Sequence, residues 1–346
     1  MEGDGLMLPL PRFRLAVPRS LEDALAILAT HGRTARPIAG GTDLVPNLKH
    51  RLLDVDVLVP LKRLPGLRGV ARREDGSLSV GALTSLSSLA ADPLVGAAYR
   101  ALADAVGGIA GPQLRNMGTI GGNLCLDTRC TYYNQSEGWR IALGYCLKRS
   151  GTQCHVVPGG TRCVAAVSSD SAPMITALGG SLVLRSAARG ERTVALETFF
   201  LGEGRKNIVV EPDELLIEVR LPAPAPGAFS GYQKLRPRAA IDFPMLSVAV
   251  AGTRGADGTI AGARVVVGAL GAKPREVSGV TALVQGQPPS RELFEAVGAQ
   301  AFRQCRPLTN IPFDPEWRHA MVPVLVRRAF AQALGQGLEA PVLEVA

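Results

Sequence analysis

The sequence predicts an α+β protein of more than one domain, and three observations carry that prediction. At 346 residues the chain exceeds what one small core serves. A Pro/Ala/Gly segment, PAPAPGA at 222–228, breaks the pattern and reads as a boundary. Beyond it, strands of antiparallel type precede two amphipathic helices, which is a small sheet covered by helices.

Composition narrows the function classes. Hydrophobic residues make up 47% of the chain and aromatics 5%, which suits a globular protein with close helix–sheet packing. No run of about 18 apolar residues exists, so no membrane span is expected. The start, MEGDGLMLPLPRF, carries acids and a Pro-broken apolar patch and does not read as a secretory signal. The expected compartment is the cytoplasm, where disulfides are disfavoured and clustered cysteines point to metal or redox chemistry. The net charge of +8 suits an anionic cofactor or acidic partner, but it lies on no basic run and does not support nucleic-acid binding.

The elements follow in order. SLEDALAILATHG (20–32) is a helix, with Ser20 as N-cap, Asp23 in the first turn and Gly32 as the stop. ARPIA (35–39) is a short strand that runs into Gly40-Gly41-Thr42. Adjacent glycines let backbone N–H groups approach a phosphate, but the same motif also serves an ordinary strand-to-helix turn. Residues 55–62 are a buried strand, 69–83 a hairpin about Asp75-Gly76, and 84–106 largely helical. The glycine-dense stretch 107–125 is a second candidate for a backbone-lined binding surface or a tight crossing. No GxGxxG follows a strand, so an ordinary dinucleotide fold is excluded. A short helix (173–180), strands at 181–186 and 214–222, and a strand with a helical piece at 191–202 complete the first part. Past the boundary, 232–254 contains a strand, 259–271 is another, and 290–305 and 316–335 are helices.

Between 130 and 163 lies an unusual polar loop with four of the six cysteines: Cys130, Cys146, Cys154 and Cys163. Four thiolates can hold an iron–sulfur cluster or a zinc ion. Their irregular spacing does not choose between these, nor exclude redox-active or free thiols. His155 is either an extra ligand or a solvated loop residue. The charges Arg129, Arg140, Lys148, Arg149 and Arg162 form either a docking rim for an acidic protein or a solvating shell. No nucleophile–base pair or hydrolytic metal motif is present, so no catalytic side chain is assigned.

AGGTDL at 39–44 and TIGGN at 119–123 resemble the two FAD-pyrophosphate signatures of the flavoprotein medium subunits of molybdenum hydroxylases, the carbon monoxide and xanthine dehydrogenase family. The likeness extends through 75–90, 234–251 and 316–329. It implies a two-part FAD-binding domain of the molybdenum-hydroxylase flavoprotein type at 1–222, with parts at about 1–62 and 63–222, followed by a C-terminal α+β domain at 229–346. It implies cofactor contacts at Pro37, Ile38, Ala39, Gly40, Gly41, Thr42, Asp43 and Leu44. Further contacts are implied at Ile109, Gly118, Thr119, Ile120, Gly121, Gly122, Asn123, Asp170 and Lys234. On residue type alone, Asp170 also reads as a helix N-cap before Pro173, and Lys234 as a surface strand lysine.

Between GGN and SSD stand about forty residues that the ordinary family lacks, at about 126–167. A loop of that length in a compact domain needs a reason. In this respect the chain resembles the 4-hydroxybenzoyl-CoA reductases, whose flavin subunit carries a [4Fe–4S] cluster. The resemblance implies Cys130, Cys146, Cys154 and Cys163 as its ligands and excludes Cys125. It also implies a large subunit with the molybdenum cofactor, a small [2Fe–2S] subunit, a dimer of heterotrimers and ferredoxin as electron donor. The alternative is the FAD subunit of an oxidative hydroxylase acting on another aromatic or N-heterocyclic substrate.

Overall fold

A computed structural model describes residues 8–336. Met1–Met7 of the N-terminal segment, and the last ten residues of the predicted C-terminal domain, lie outside the described residues. The chain runs β1 (Arg14–Leu15), α1 (Leu21–His31), β2 (Ala35–Ile38), α2 (Leu44–Lys49), β3 (Val57–Pro60), β4 (Val70–Arg72) and β5 (Leu78–Gly81). It continues through α3 (Leu86–Ala90), α4 (Pro93–Ala98), α5 (Arg100–Gly107), α6 (Pro112–Met117), α7 (Ile120–Leu124), α8 (Glu137–Ala142) and α9 (Ser171–Ala177). Then come β6 (Ser181–Ser186), β7 (Gly190–Ala195), α10 (Leu196–Phe199), β8 (Glu214–Leu221), β9 (Ala228–Leu235) and β10 (Leu246–Arg254). The chain closes with β11 (Ile260–Gly268), β12 (Arg275–Glu276), α11 (Val280–Val284), α12 (Arg291–Gln304) and α13 (Pro315–Leu334).

These elements form three sheets among the described residues. The first is parallel, in the order β1-β3-β2. The second is antiparallel, in the order β4-β5-β8-β6-β7, and the third is antiparallel, in the order β12-β11-β10-β9. The local signals act as expected in α1, where the Ser20 hydroxyl accepts from the Asp23 amide at 3.1 Å and Ala24, Leu25 and Leu28 are buried. The predicted α+β class holds. One expectation was too simple: 232–254 holds parts of two strands, β9 and β10, joined around residues 236–245. Its length concealed the turn, because residues 236–245 mix charge, Pro and apolar side chains and carry no Asn-Gly-type signal.

The third sheet is buried on both faces. Val248 and Val250 of β10, with Val265 and Val267 of β11, pack under α12 and α13. The alternate residues Ala249, Ala251 and Val266 join a separate core with α5, α9 and the second sheet. Strand periodicity divides one apolar run between two layers and so fixes β9, which carries Tyr232 and Lys234, against the first part of the chain.

Glu214 starts β8 with its carboxylate nearly sealed from solvent. Arg192 donates to it through Nε and Nη2, both at 2.8 Å, and the Glu211 amide donates at 2.9 Å. Burial alone would raise this carboxyl; the Arg192 hydrogen bonds and charge outweigh it and hold the group below its ordinary value of 4.5. A folded pKa below the unfolded one gives stability that is present above pH 4.5 and lost as pH falls through the folded value. Glu214→Gln is therefore expected to lower stability at neutral pH and flatten the acid limb of a urea-unfolding series.

Candidate functional site

Two glycine turns meet at one edge of the first sheet. Pro37 and Ile38 end β2, Ala39 to Asp43 form the turn, and Leu44 opens α2. The second turn joins α6 to α7 through Gly118 and Thr119. A Cβ at Gly40 would lie 2.0 Å from the Met117 carbonyl oxygen, so only glycine permits this approach. A Cβ at Gly118 would touch the Thr42 hydroxyl at 3.4 Å. The N–H groups of Gly40, Gly41, Thr42 and Thr119 have no protein acceptor among the described residues. Four such donors on two abutting turns are the arrangement that an anionic pyrophosphate needs. The chain's residues thus fit the expected dinucleotide.

Several of the predicted contact residues also hold the fold together. Ile120 is buried in the core, and Gly121 packs so tightly on Ala82 that a Cβ would come within 2.8 Å of the Ala82 carbonyl oxygen. The Gly122 amide is taken by the Thr119 hydroxyl at 3.1 Å, the N-cap of α7. Asn123 turns inward: its Oδ1 accepts from the Ser169 and Ser171 hydroxyls at 2.8 and 2.6 Å, tying α7 to the start of α9. Ile109 packs against the core, and its carbonyl accepts from Arg115 at 2.7 Å.

Asp170 stands at the N-cap position of α9 but makes no side-chain cap bond to it. Its carboxylate instead accepts from Lys234 Nζ at 3.0 Å and from the Tyr232 hydroxyl at 2.7 Å. Lys234 is buried and also donates to the Gly108 carbonyl at 3.1 Å, so it is no surface lysine. Burial raises the Asp170 carboxyl and lowers the Lys234 ammonium, each opposed by the other's charge. Tyr232 was missed, although the Tyr-x-Lys alternation places it and Lys234 on one strand face. Removing one member of such a pair leaves a buried uncompensated charge at about 3–5 kcal/mol. Asp170→Ala is expected to lose stability of that order in denaturant titration, and Lys234→Met in the same chain to restore much of it.

The cysteine-bearing insertion begins next to the first turn. Its ends are zipped by paired backbone hydrogen bonds between Arg129 and Ala166, at 2.8 and 2.7 Å. Regular structure inside it is confined to α8, among the described residues. Cys130, Cys146, Cys154 and Cys163 come from four separate irregular stretches and line one small pocket, with Tyr132, Tyr133, Lys148 and His155. All six cysteines are free thiols. Burial pushes the Cys130 thiol up to about 11 and raises that of Cys163. Cys125 is not on this wall but packs against the core, where burial pushes its thiol up to about 12. His155 neither points to solvent nor stands free, since its Nε2 lies 2.7 Å from the Tyr145 carbonyl oxygen.

The expected chelate geometry for an ion is not seen. Among the described residues, no three or more His, Cys, Asp or Glu side chains stand close enough to hold a metal ion. A single tetrahedral zinc with bonds of about 2.3 Å needs sulfurs about 3.8 Å apart. Four thiols on one pocket wall are a donor set that iron–sulfur clusters and zinc both use.

The expected basic rim is also corrected. Arg129 pairs with Asp43 at 3.1 Å and covers the Phe243 ring, and Arg149 is bidentate to Asp54 at 2.7 and 2.9 Å. Arg140 is buried and donates to the His50 carbonyl at 2.6 Å, and Lys148 is buried on Asp127 at 2.6 Å. Arg162 remains exposed. Arg129, Arg140 and Arg149 clamp the insertion onto residues 43–54; composition counts charges but cannot say which way they turn. The Arg129–Asp43 pair joins the cysteine insertion directly to the first glycine turn. Burial nonetheless raises the Asp43 carboxyl, against the pull of Arg129.

Comparison with known proteins agrees with this geometry. Residues 11–224 match the family described as the FAD binding domain in molybdopterin dehydrogenase. Residues 231–333 match the CO dehydrogenase flavoprotein C-terminal domain. The carbon monoxide dehydrogenase medium chain of Hydrogenophaga pseudoflava is 29% identical over 327 residues, covering 94% of this chain and 98% of that one. The nicotinate dehydrogenase FAD-subunit of Eubacterium barkeri is 28% identical over 287 residues, covering 82% of this chain and 83% of that one. A solved structure of the Hydrogenophaga pseudoflava carbon monoxide dehydrogenase lacking the Mo-pyranopterin moiety superposes with a TM-score of 0.77 at 28% identity, covering 95% of this chain and all of that one. No described helix is long and apolar enough to cross a membrane.

Proposed function

Because the chain belongs to the FAD-binding family of the molybdopterin dehydrogenases, we propose that it is the flavin and [4Fe–4S] electron-transfer subunit of a complex of the 4-hydroxybenzoyl-CoA reductase type. One observation carries the reading: Cys130, Cys146, Cys154 and Cys163 wall a single pocket, which Cys125 does not join, in an insertion that Arg129 ties to Asp43 of the first glycine turn. These four thiolates would hold the cluster, and the amides of Gly40, Gly41, Thr42 and Thr119 would hold the FAD pyrophosphate. When bound, the two groups would supply one-electron relay between a ferredoxin-class donor and redox centres on partner subunits. Those partners are a small [2Fe–2S] subunit and a large molybdenum subunit, assembled as a dimer of heterotrimers. The large subunit removes a phenolic hydroxyl from an aromatic acyl-CoA, which accords with the lack of a nucleophile–base pair in this sequence. The fold supports one further role for this chain: the Asp170–Lys234–Tyr232 set places a buried charge pair beside the Gly108 backbone, where it would stabilise a reduced anionic flavin.

A second reading is an FAD subunit of an oxidative hydroxylase for another aromatic or N-heterocyclic substrate. The basic residues of the insertion favour it, because Arg129, Lys148 and Arg149 are already paired with Asp43, Asp127 and Asp54, and of the five only Arg162 stands exposed. Iron and sulfide analysis with EPR of the dithionite-reduced chain tests the first reading, which predicts a four-iron signal. A flavin spectrum with zinc and no such signal would sink it. Reduction of the assembled complex by NADH and not by ferredoxin would select the second.

A further inference from the structure

We propose that Lys148 is the fixed charge that sets the reduction potential of the centre held by the four thiols. The inference rests on the reading of that pocket as a four-iron site. Lys148 lines the pocket together with all four cysteines. Its side chain is 4% exposed, which is unusual for an ammonium. Three acceptors hold it in place: Asp127 Oδ1 at 2.6 Å, the Thr128 hydroxyl at 2.7 Å and the Gly204 carbonyl at 2.6 Å. The Tyr133 ring closes another side, 4.9 Å from Nζ. Gly204 couples this charge to the sulfur. Its carbonyl takes the Lys148 proton donor, and its α-carbon presses so close to Cys163 that a Cβ there would lie 2.5 Å from Sγ.

The neighbouring charges offset this one only in part. Asp127 is 32% exposed, so water screens the counter-charge more than it screens the buried ammonium. Arg149 is bound to Asp54, and Arg140 to backbone carbonyls. The Glu203 carboxylate accepts from the Cys163 and Arg205 amides. A cluster with four thiolate ligands is anionic, and one added electron makes it more so, with no bond formed or broken. A buried positive charge therefore favours the reduced form. Asp127 acts in the opposite sense.

The test uses the full chain, with iron and sulfide measured and the cluster titrated against dithionite by EPR. At the potential where the wild-type centre is half reduced, Lys148→Met is expected to lower the reduced-to-oxidised ratio at least tenfold, a downward shift of about 59 mV or more for one electron. Lys148→Arg should stay near the wild type. Asp127→Asn should move the potential upward. A side chain that only supports the loop would not give opposite signs. If Lys148→Met retains the cluster at the wild-type potential, the proposal is wrong. If Lys148→Met fails to hold iron, Asp127→Asn decides, and an unshifted potential there overturns the proposal. A wild-type chain without a four-iron centre overturns it together with the functional reading. An intact wild-type cluster with unshifted variants overturns this inference alone.

Discussion

Changing Cys146 to serine is expected to strip the chain of its iron and sulfide, while the same change at Cys125 leaves both in place. Cys146 is one of four thiols on the pocket wall, and each comes from a different stretch of the insertion. A serine hydroxyl does not ionise near neutral pH and is a poor substitute for thiolate. No spare sulfur stands within reach. Cys125 packs into the core of the first part of the chain, its thiol pushed up to about 12, and Cys305 is buried beneath the C-terminal helices. The measurement is iron and acid-labile sulfide per chain, with flavin content as the internal control. Loss of iron from Cys125→Ser, or its retention in Cys146→Ser, would reassign the ligand set.

A second large effect is expected from Gly40→Ala, which should abolish flavin binding. The added methyl would meet a backbone carbonyl, that of Met117, at 2.0 Å. No rotamer change relieves a clash with backbone, so the two glycine turns must separate. Overpacking of this kind costs about 1–3 kcal/mol in stability. The functional loss should be larger, because amide donors on two turns serve one pyrophosphate only while the turns touch. Gly96→Ala is the control. It lies in α4 with nothing within 4 Å of the new methyl, and alanine suits a helix better than glycine. Flavin released on denaturation, counted per chain, should fall to background in the first variant and stay at the wild-type level in the second.

The two glycine turns were legible because their chemistry is local. Gly40-Gly41-Thr42 announces itself by a conformational demand that neighbouring residues cannot supply, and α1 by its cap and its apolar stripe. Tyr232 was less legible, since its hydroxyl finds Asp170 across 62 positions of sequence. Gly121 and Asn123 belong to a motif that resemblance assigns as a whole to the cofactor. The structure divides that motif: Thr119 offers its amide outward, Gly121 packs on Ala82, and Asn123 braces α9. A motif records which residues stand together, but not which neighbour each one satisfies.

The cysteine insertion shows the same division most clearly. By itself the sequence determined the α+β class, the family likeness, and the place of an insertion that carries four cysteines. These follow from residue type and spacing along one chain. Only the tertiary structure decided that the four thiols line one pocket, that Cys125 packs against the core, and that the Lys148 and Arg140 side chains are buried. The physical reason is that burial is a property of packing. An ammonium is a solvated charge or a sealed one according to whether Asp127, Thr128 and Gly204, from separate stretches of chain, close around it.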